Sequence, residues 1–344
     1  MTSSEEPVFL RACRREPVPF TPVWLMRQAG RYQPEYRAIR AKVSFLELCK
    51  TPDLAAEVTV MAVKQLGVDA AIIFADILLV LEPMGVPIAF SKDGDGPQIL
   101  KTVRERKDVD AVVGEIDVGA LSFVYEAIKK VRAEMPEVPL IGFAGAPFTL
   151  ASYAIEGGGS KNYIATKKLM YEDPGAFAAL MERLSIATVR HLRAQIEAGA
   201  QAVQLFDSWA GCLSPSDYRR HVAPHMRQIV SAMPEGIPVI TFGTGTGGFL
   251  EELASSGASV VGIDWRLDMS DASRRLPNVA LQGNLDPVTL FGPTDGVRDE
   301  VRSILDAMKE HKGHVFNLGH GILPGTPVDH VRALVDSVHE LSSR

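Results

Sequence analysis

The sequence predicts an α/β fold, a single-domain (β/α)8 barrel. Three observations lead there. Short runs of Val, Ile, Leu and Phe alternate with amphipathic stretches of helical period along the 344 residues. The runs are apolar throughout rather than alternating, as strands buried on both faces of a parallel sheet must be. Polar and glycine residues gather at the carboxyl ends of those runs, where such a barrel builds its binding loops.

In chain order the expected strands are Val23–Met26, Ala70–Phe74, Pro139–Phe143, Ala202–Phe206, Pro238–Phe242, Ser259–Ile263, Val279–Gln282 and His314–Leu318. The helical stretches are Thr51–Leu66, Val118–Met135, Pro174–Glu197, Pro215–Ala232, Gly248–Ser256, Met269–Leu276, Gly296–Lys309 and Val328–Leu341. Pro52-Asp53, Asp173-Pro174, Ser214-Pro215 and Pro327 set a cap or a proline at helix starts. The strand ends carry Asp76, Asp207-Ser208, Gly243-Thr244-Gly245, Asp264, Asn284, Asp286, Asn317, Gly319 and His320. Turns favour Gly, Asp and Asn anyway, which explains the glycines better than it explains Asp76, Ser208 or His320. No low-complexity linker divides the chain, so residues 1–344 are expected as one domain. Within it, 1–21 reads as an N-terminal extension and 84–117, rich in Gly, Pro, Lys and Asp, as an insertion or lid after the second strand.

The composition, 46% hydrophobic and 23% charged, is that of a globular protein, and the net charge of −6 argues against a nucleic-acid partner. Yet residues 1–50 carry nine basic groups (Arg11, Arg14, Arg15, Arg27, Arg31, Arg37, Arg40, Lys42, Lys50) against five acids (Glu5, Glu6, Glu16, Glu35, Glu47). A locally basic stretch in an acidic chain suits a cleft for a small anion. Cys13, Cys49 and Cys212 form no CxxC pair and no disulfide framework. With no leader-like apolar segment and no apolar run of about 18 residues, a cytoplasmic enzyme without membrane contact is expected.

The densest motif is Met26-Arg27-Gln28-Ala29-Gly30-Arg31-Tyr32, two arginines around a glycine directly after the first strand. Arginine keeps its charge and grips carboxylate or phosphate with a planar fork. The pair suggests a ligand with more than one acid group; a solvated pair beside Glu35 is the alternative. Asp76 ends an apolar run and precedes Ile77-Leu78-Leu79-Val80, so it is either a helix cap or a charge in a dry place. Gly243, Gly245 and Gly248 spell G-x-G-x-x-G, with Asp264 about 20 residues on, as a dinucleotide site would. The motif sits in the fifth unit instead of the first, which favours a tight turn lining a cavity. Glu156-Gly-Gly-Gly-Ser-Lys161 lacks P-loop spacing and reads as a mobile loop after the third strand. His221 and His225 have zinc-compatible spacing but no nearby acid or cysteine, so no metal is expected.

Six segments together resemble the uroporphyrinogen decarboxylase family over nearly the whole chain. They are Pro22–Tyr32, Phe74–Ile77, Gly142–Leu150, Phe206–Gly211, Gln282–Asp286 and Asn317–Pro324. The resemblance implies a TIM barrel, a homodimer, and removal of carbon dioxide without a cofactor from the four acetates of uroporphyrinogen III. The product would be coproporphyrinogen III, on the route to haem and chlorophyll. It implies catalytic roles for Asp76 and Arg27. It also implies substrate contacts from Arg27, Gln28, Ala29, Gly30, Arg31, Asp76, Tyr153, Ser208 and His320. Asp207 stands where the family also uses Glu. The chemistry fits those residues. The substrate carries eight carboxylates, and an electron-rich pyrrole, once protonated, is its own electron sink where other enzymes need a cofactor. The proton donor stays open among Arg27, Tyr153, His320 and water. Two other classes compete: a zinc-dependent corrinoid methyltransferase on the same barrel, and a non-catalytic tetrapyrrole carrier.

Overall fold

The computed structural model describes residues 6–90 and 96–343. Its strands are β1 (Ala71–Ile72), β2 (Ile88–Phe90), β3 (Pro97–Ile99), β4 (Leu140–Gly145), β5 (Ala202–Asp207), β6 (Val239–Gly243), β7 (Val260–Gly262), β8 (Ala280–Gln282) and β9 (His314–Val315). Seven of them form one curled parallel sheet in the order β1-β4-β5-β6-β7-β8-β9. Parallel neighbours need a crossover, and helices supply it between successive members of that sheet. β2 and β3 pair antiparallel as a separate ribbon. Among the described residues no helix is long and apolar enough to cross a membrane.

The first expected strand, Val23–Met26, does not form a ladder. Val23 makes an isolated parallel bridge to Phe316, and the Asp69 amide donates to the Val23 carbonyl at 2.8 Å. The segment therefore runs between the two edge strands. Trp24 N–H donates to the Phe316 carbonyl at 3.3 Å, but the other three amides of the segment go elsewhere. Val23 N–H donates to Asp69 Oδ2, Leu25 N–H to Gln28 Oε1 and Met26 N–H to Asn317 Oδ1. Side chains have taken the bonds a regular strand would give its neighbour.

Inside the curl, Ile141, Ala202, Ile240, Phe242, Val260, Ala280 and Val315 form one cluster with Trp24 and Met26. Phe9, Leu10, Ala12 and Cys13 join it from the helix Val8–Cys13. That short helix, within the expected extension 1–21, plugs the amino end. Arg15 fixes it there, donating to the Asn278 and Pro277 carbonyls at 2.8 Å each, just before β8. A hydrogen-bonded chain crosses the interior: Trp24 Nε1 donates to Gln282 Oε1, and Gln282 Nε2 to Gln204 Oε1.

The outer helices follow their sequence signals. The Asp173 side chain caps Pro174–Glu197 at Ala176 N, and Ser214 caps Pro215–His221 at Asp217 N. The stretch expected as one helix, Pro215–Ala232, is two, Pro215–His221 and Ala223–Ser231. Pro224 lacks the amide that would carry the ladder across the join. A helix not expected, Pro147–Glu156, follows β4, and the Gly157–Gly159 stretch comes after it, before the helix Ile164–Glu172. The glycine loop expected after the third strand thus follows this helix and not the strand itself. The expected insertion 84–117 holds the β2–β3 ribbon and the helix Arg106–Asp110; its residues 91–95 lie outside the described residues. The ribbon flanks the end of the Pro147–Glu156 helix, with Ile99 N–H donating to the Gly157 carbonyl at 2.9 Å.

Candidate active site

At the carboxyl end of the sheet the chain leaves Met26 in a sharp turn. Arg27 takes a left-handed φ of 62°, a conformation that costs a non-glycine residue energy and is kept where the surroundings enforce it. Gln28 N–H closes the turn on the Leu25 carbonyl at 3.0 Å. The Arg27 side chain lies along Gly321, where an added Cβ would stand 2.6 Å from Arg27 Cγ. The guanidinium is open to solvent although protein crowds it on most sides, as befits the wall of a cleft. Burial pulls its pKa down from the usual arginine value, and the charge of Arg31 lowers it further. Arg31 itself is exposed.

Asp76 lies beyond β1, partly exposed. Its Oδ1 accepts from Leu78 N–H at 2.8 Å. That bond lies just before the turn Leu79–Leu81, and the carboxyl is also desolvated. Desolvation pushes its carboxyl up to about 6, against the pull of the Leu78 amide and of Arg27. Tyr153, half-buried on the helix Pro147–Glu156, feels both Asp76 and Arg27; burial and then the Asp76 charge push its phenol up to about 12. His320, after β9, is driven down to about 4 by burial first and Arg27 next. Its ring stands edge-on to Trp265, centroids 6.0 Å apart. Ser208 follows β5 directly, and among the described residues its hydroxyl has no protein partner. Trp209 stacks on Tyr153, ring centroids 3.8 Å apart and planes 30° apart. On the three adjacent strands Phe143, Phe206 and Phe242 interlock edge to face, 5.6 and 6.2 Å apart.

The structure thus places Asp76, Tyr153 and His320 each within the electric field of Arg27, with Ser208 next to the Tyr153–Trp209 stack. Gln28, Ala29 and Gly30 are placed differently. Gln28 is 1% exposed and spends its amide on Leu25 N–H and the Ala70 carbonyl. Ala29 packs beside the Tyr36–Leu48–Val58 cluster. Gly30 N–H donates to Gln33 Oε1 at 2.9 Å. These three shape the turn that presents Arg27.

A family model described as Uroporphyrinogen decarboxylase (URO-D) matches residues 4–341. The chain belongs to the uroporphyrinogen decarboxylase family. It is 54% identical over 341 residues to the uroporphyrinogen decarboxylase of Carboxydothermus hydrogenoformans, covering 97% of this chain and 96% of that one. It is 53% identical to that of Sorangium cellulosum over 97% and 96% of the two chains. Among solved structures, a methyltransferase from Methanosarcina mazei superposes with a TM-score of 0.82, at 21% identity over 96% of this chain and 97% of the other. At that identity the likeness is one of fold.

Membership leaves the glycine motif of the fifth unit to be explained. Gly245 N–H donates to Asp264 Oδ2 at 2.6 Å, and Arg266 Nη1 donates to the same oxygen at 2.8 Å. The acid a dinucleotide ribose would need is 3% exposed and already bonded. Gly245 also packs on Gly211, where a Cβ would stand 2.9 Å from Gly245 Cα. The motif is a turn packed on its own chain. Three neighbours of the site escaped sequence reasoning: Thr149, Asp207 in its outward role, and the Trp265–Arg266 pair, whose guanidinium lies 3.9 Å over the indole. Asp207 and Thr149 stand in segments that carried the resemblance, but only the fold shows that they touch.

Proposed function

We propose that this chain removes carbon dioxide from the four acetate side chains of uroporphyrinogen III and yields coproporphyrinogen III without a cofactor. The observation that carries the reading is the desolvated Asp76 facing Arg27 at the mouth, in a chain of this family. Arg27 and Arg31 receive substrate carboxylates. Asp76 faces the pyrrole N–H groups, and Tyr153, Ser208 and His320 complete the polar lining.

In each round a proton adds to the ring carbon next to the one that bears the acetate, which leaves the ring cationic at the acetate-bearing position. The bond between the acetate methylene and its carboxylate then breaks. Its electron pair flows into the ring and carbon dioxide leaves. A proton taken up at the methylene carbon makes the methyl group, and the ring proton departs. One proton is consumed per carbon dioxide released. Asp76, ionised above pH 6, stabilises the cation by a charge already in place, and such a charge counts for more in a dry cleft than in water. Among the donors, His320 is neutral at pH 7 and Tyr153 holds its proton tightly. Of the donors that carry a proton at pH 7, Arg27 is the one whose hold on it burial weakens, and we assign the proton to it.

The same reading takes Val23–Met26 as the eighth stave of a closed (β/α)8 barrel, supported by the Phe316 bridge and the Asp69 bond. It carries with it a homodimer and a cytoplasmic setting. The methyltransferase alternative needs a zinc-binding thiolate. Among the described residues no three His, Cys, Asp or Glu side chains, Cys212 included, stand together as a zinc site needs. Anaerobic incubation with uroporphyrinogen III, followed by counting the product's carboxyl groups, tests the proposal. Loss of the four acetate carboxyls supports it. Tetrapyrrole bound with all its carboxyls intact would make the chain a carrier, and stoichiometric zinc with methyl transfer would make it the other enzyme.

A further inference from the structure

We propose that Thr149 and Asp207 are positioning residues for this reaction, pinning the helix that carries Tyr153 to the strand end that carries Ser208. The inference rests on the decarboxylase reading of the cleft. Thr149 precedes Tyr153 by four residues on the helix Pro147–Glu156, so the two share a face one turn apart. The Thr149 hydroxyl donates to Asp207 Oδ1 at 2.8 Å and accepts from Trp209 N–H at 3.3 Å. The Trp209 ring in turn stacks on Tyr153. The loop is closed: helix to Thr149, Thr149 to Asp207 and Trp209, Trp209 back to Tyr153. Ser208 lies between the two tethered residues, so its hydroxyl is aimed by bonds on either side.

The Asp207 side chain lies on the outward face of β5, with Val203 and Leu205, and is 3% exposed. Its Oδ2 is buried without a hydrogen-bond partner. Among the described residues no Lys, Arg or His pairs with it. The titratable groups whose fields it shares are Tyr218, on the helix Pro215–His221, and Cys212. Both are pushed up by burial and further by the Asp207 charge, so neither offers compensation. Burial raises the Asp207 carboxyl to about 7. A carboxylate with one bond in a dry layer is costly, so we expect ionisation to draw water to the strand end and loosen the contact. The neutral acid therefore keeps the clamp shut.

The test uses Thr149→Val, Thr149→Ser and Asp207→Asn in the full chain, with folding checked by circular dichroism. Thr149→Val removes the bridging hydroxyl at constant shape. We expect kcat to fall on the order of tenfold, with KM little changed, because misplacement of reacting groups acts on the chemical step. Thr149→Ser should restore most of that loss. Asp207→Asn keeps an acceptor for Thr149 but cannot ionise. It should abolish both the decline in kcat above neutral pH and the matching change in tryptophan emission of the substrate-free protein. Equal behaviour of the Val and Ser variants overturns the clamp, as does an emission transition that survives in Asp207→Asn. Should Thr149→Val fail to fold, the Asp207→Asn comparison decides alone. If the wild-type chain releases no carbon dioxide, the decarboxylase reading falls; the emission transition, recorded without substrate, still tells whether the clamp exists.

Discussion

At Asp76 two opposed effects meet. Desolvation favours the neutral acid, while the Leu78 amide and Arg27 favour the carboxylate, and the balance lies near 6. Only the charged form can steady a cationic pyrrole, so kcat should fall as pH drops through about 6. Asp76→Asn should remove that acid limb and lower kcat by a factor on the order of 10² to 10³, the size found when one preorganised electrostatic group is lost. A variant that keeps the limb would transfer the titration to another residue. At this scale the sequence was informative because site residues are unusual in kind. An aspartate at the end of an apolar run, or two arginines around a glycine, violates the ordinary pattern and can be seen without coordinates. Gln28 shows the converse. It stands inside the densest motif, yet its amide serves the backbone, and no local property of a glutamine distinguishes the two fates.

The elements were less legible where side chains replaced backbone partners. Val23–Met26 has the composition of a strand, but three of its four amides are taken by Asp69, Gln28 and Asn317. Two of those acceptors lie far along the chain, so composition alone could not reveal the exchange. The helix Pro147–Glu156 was hidden for another reason. It is buried nearly all round, and a helix without a polar face has no amphipathic period to detect. What these elements do for the site can be tested at the turn after β9. Gly321 leaves room for Arg27, and an added Cβ would press on Arg27 Cγ and Nε at 2.6 and 2.9 Å. Gly321→Ala should displace the arginine while leaving the fold intact. KM for the polyacid should rise and kcat should fall by on the order of tenfold, since small misplacements are expensive in the chemical step. Unchanged kinetics would mean that Arg27 can move aside and still work.

The molecule as a whole depends on closing the amino end, because a sheet curled around side chains exposes its inner cluster if either end is open. The helix Val8–Cys13 supplies the stopper, and Phe9 at 0% exposure is its centre. Phe9→Ala should cost about 3 to 5 kcal/mol of stability, read as a lower denaturant midpoint, while KM at low temperature stays near wild type because the site lies at the opposite end. The acid response of the fold follows from buried histidines. His191 and His314 are driven down to about 4 by burial, against an unfolded value near 6.5. Their folded pKa is depressed, so below pH 6.5 the unfolded chain takes up protons that the folded chain refuses. The stability tied to each is whole above about 6.5 and drains away as pH falls towards 4. His191 lies far from the cleft residues in the chain, on the helix Pro174–Glu197, with Nδ1 bonded to Tyr125 Oη at 3.0 Å. A glutamine there can keep a polar partner for Tyr125 but takes up no proton. His191→Gln should therefore be less stable than wild type at pH 7 and should close or reverse that gap by pH 4.5. The relative gain is about 3 kcal/mol at full titration, at 1.36 kcal/mol per pKa unit. Calorimetric melting curves that stay parallel across that range would show that His191 already takes up its proton in the folded chain.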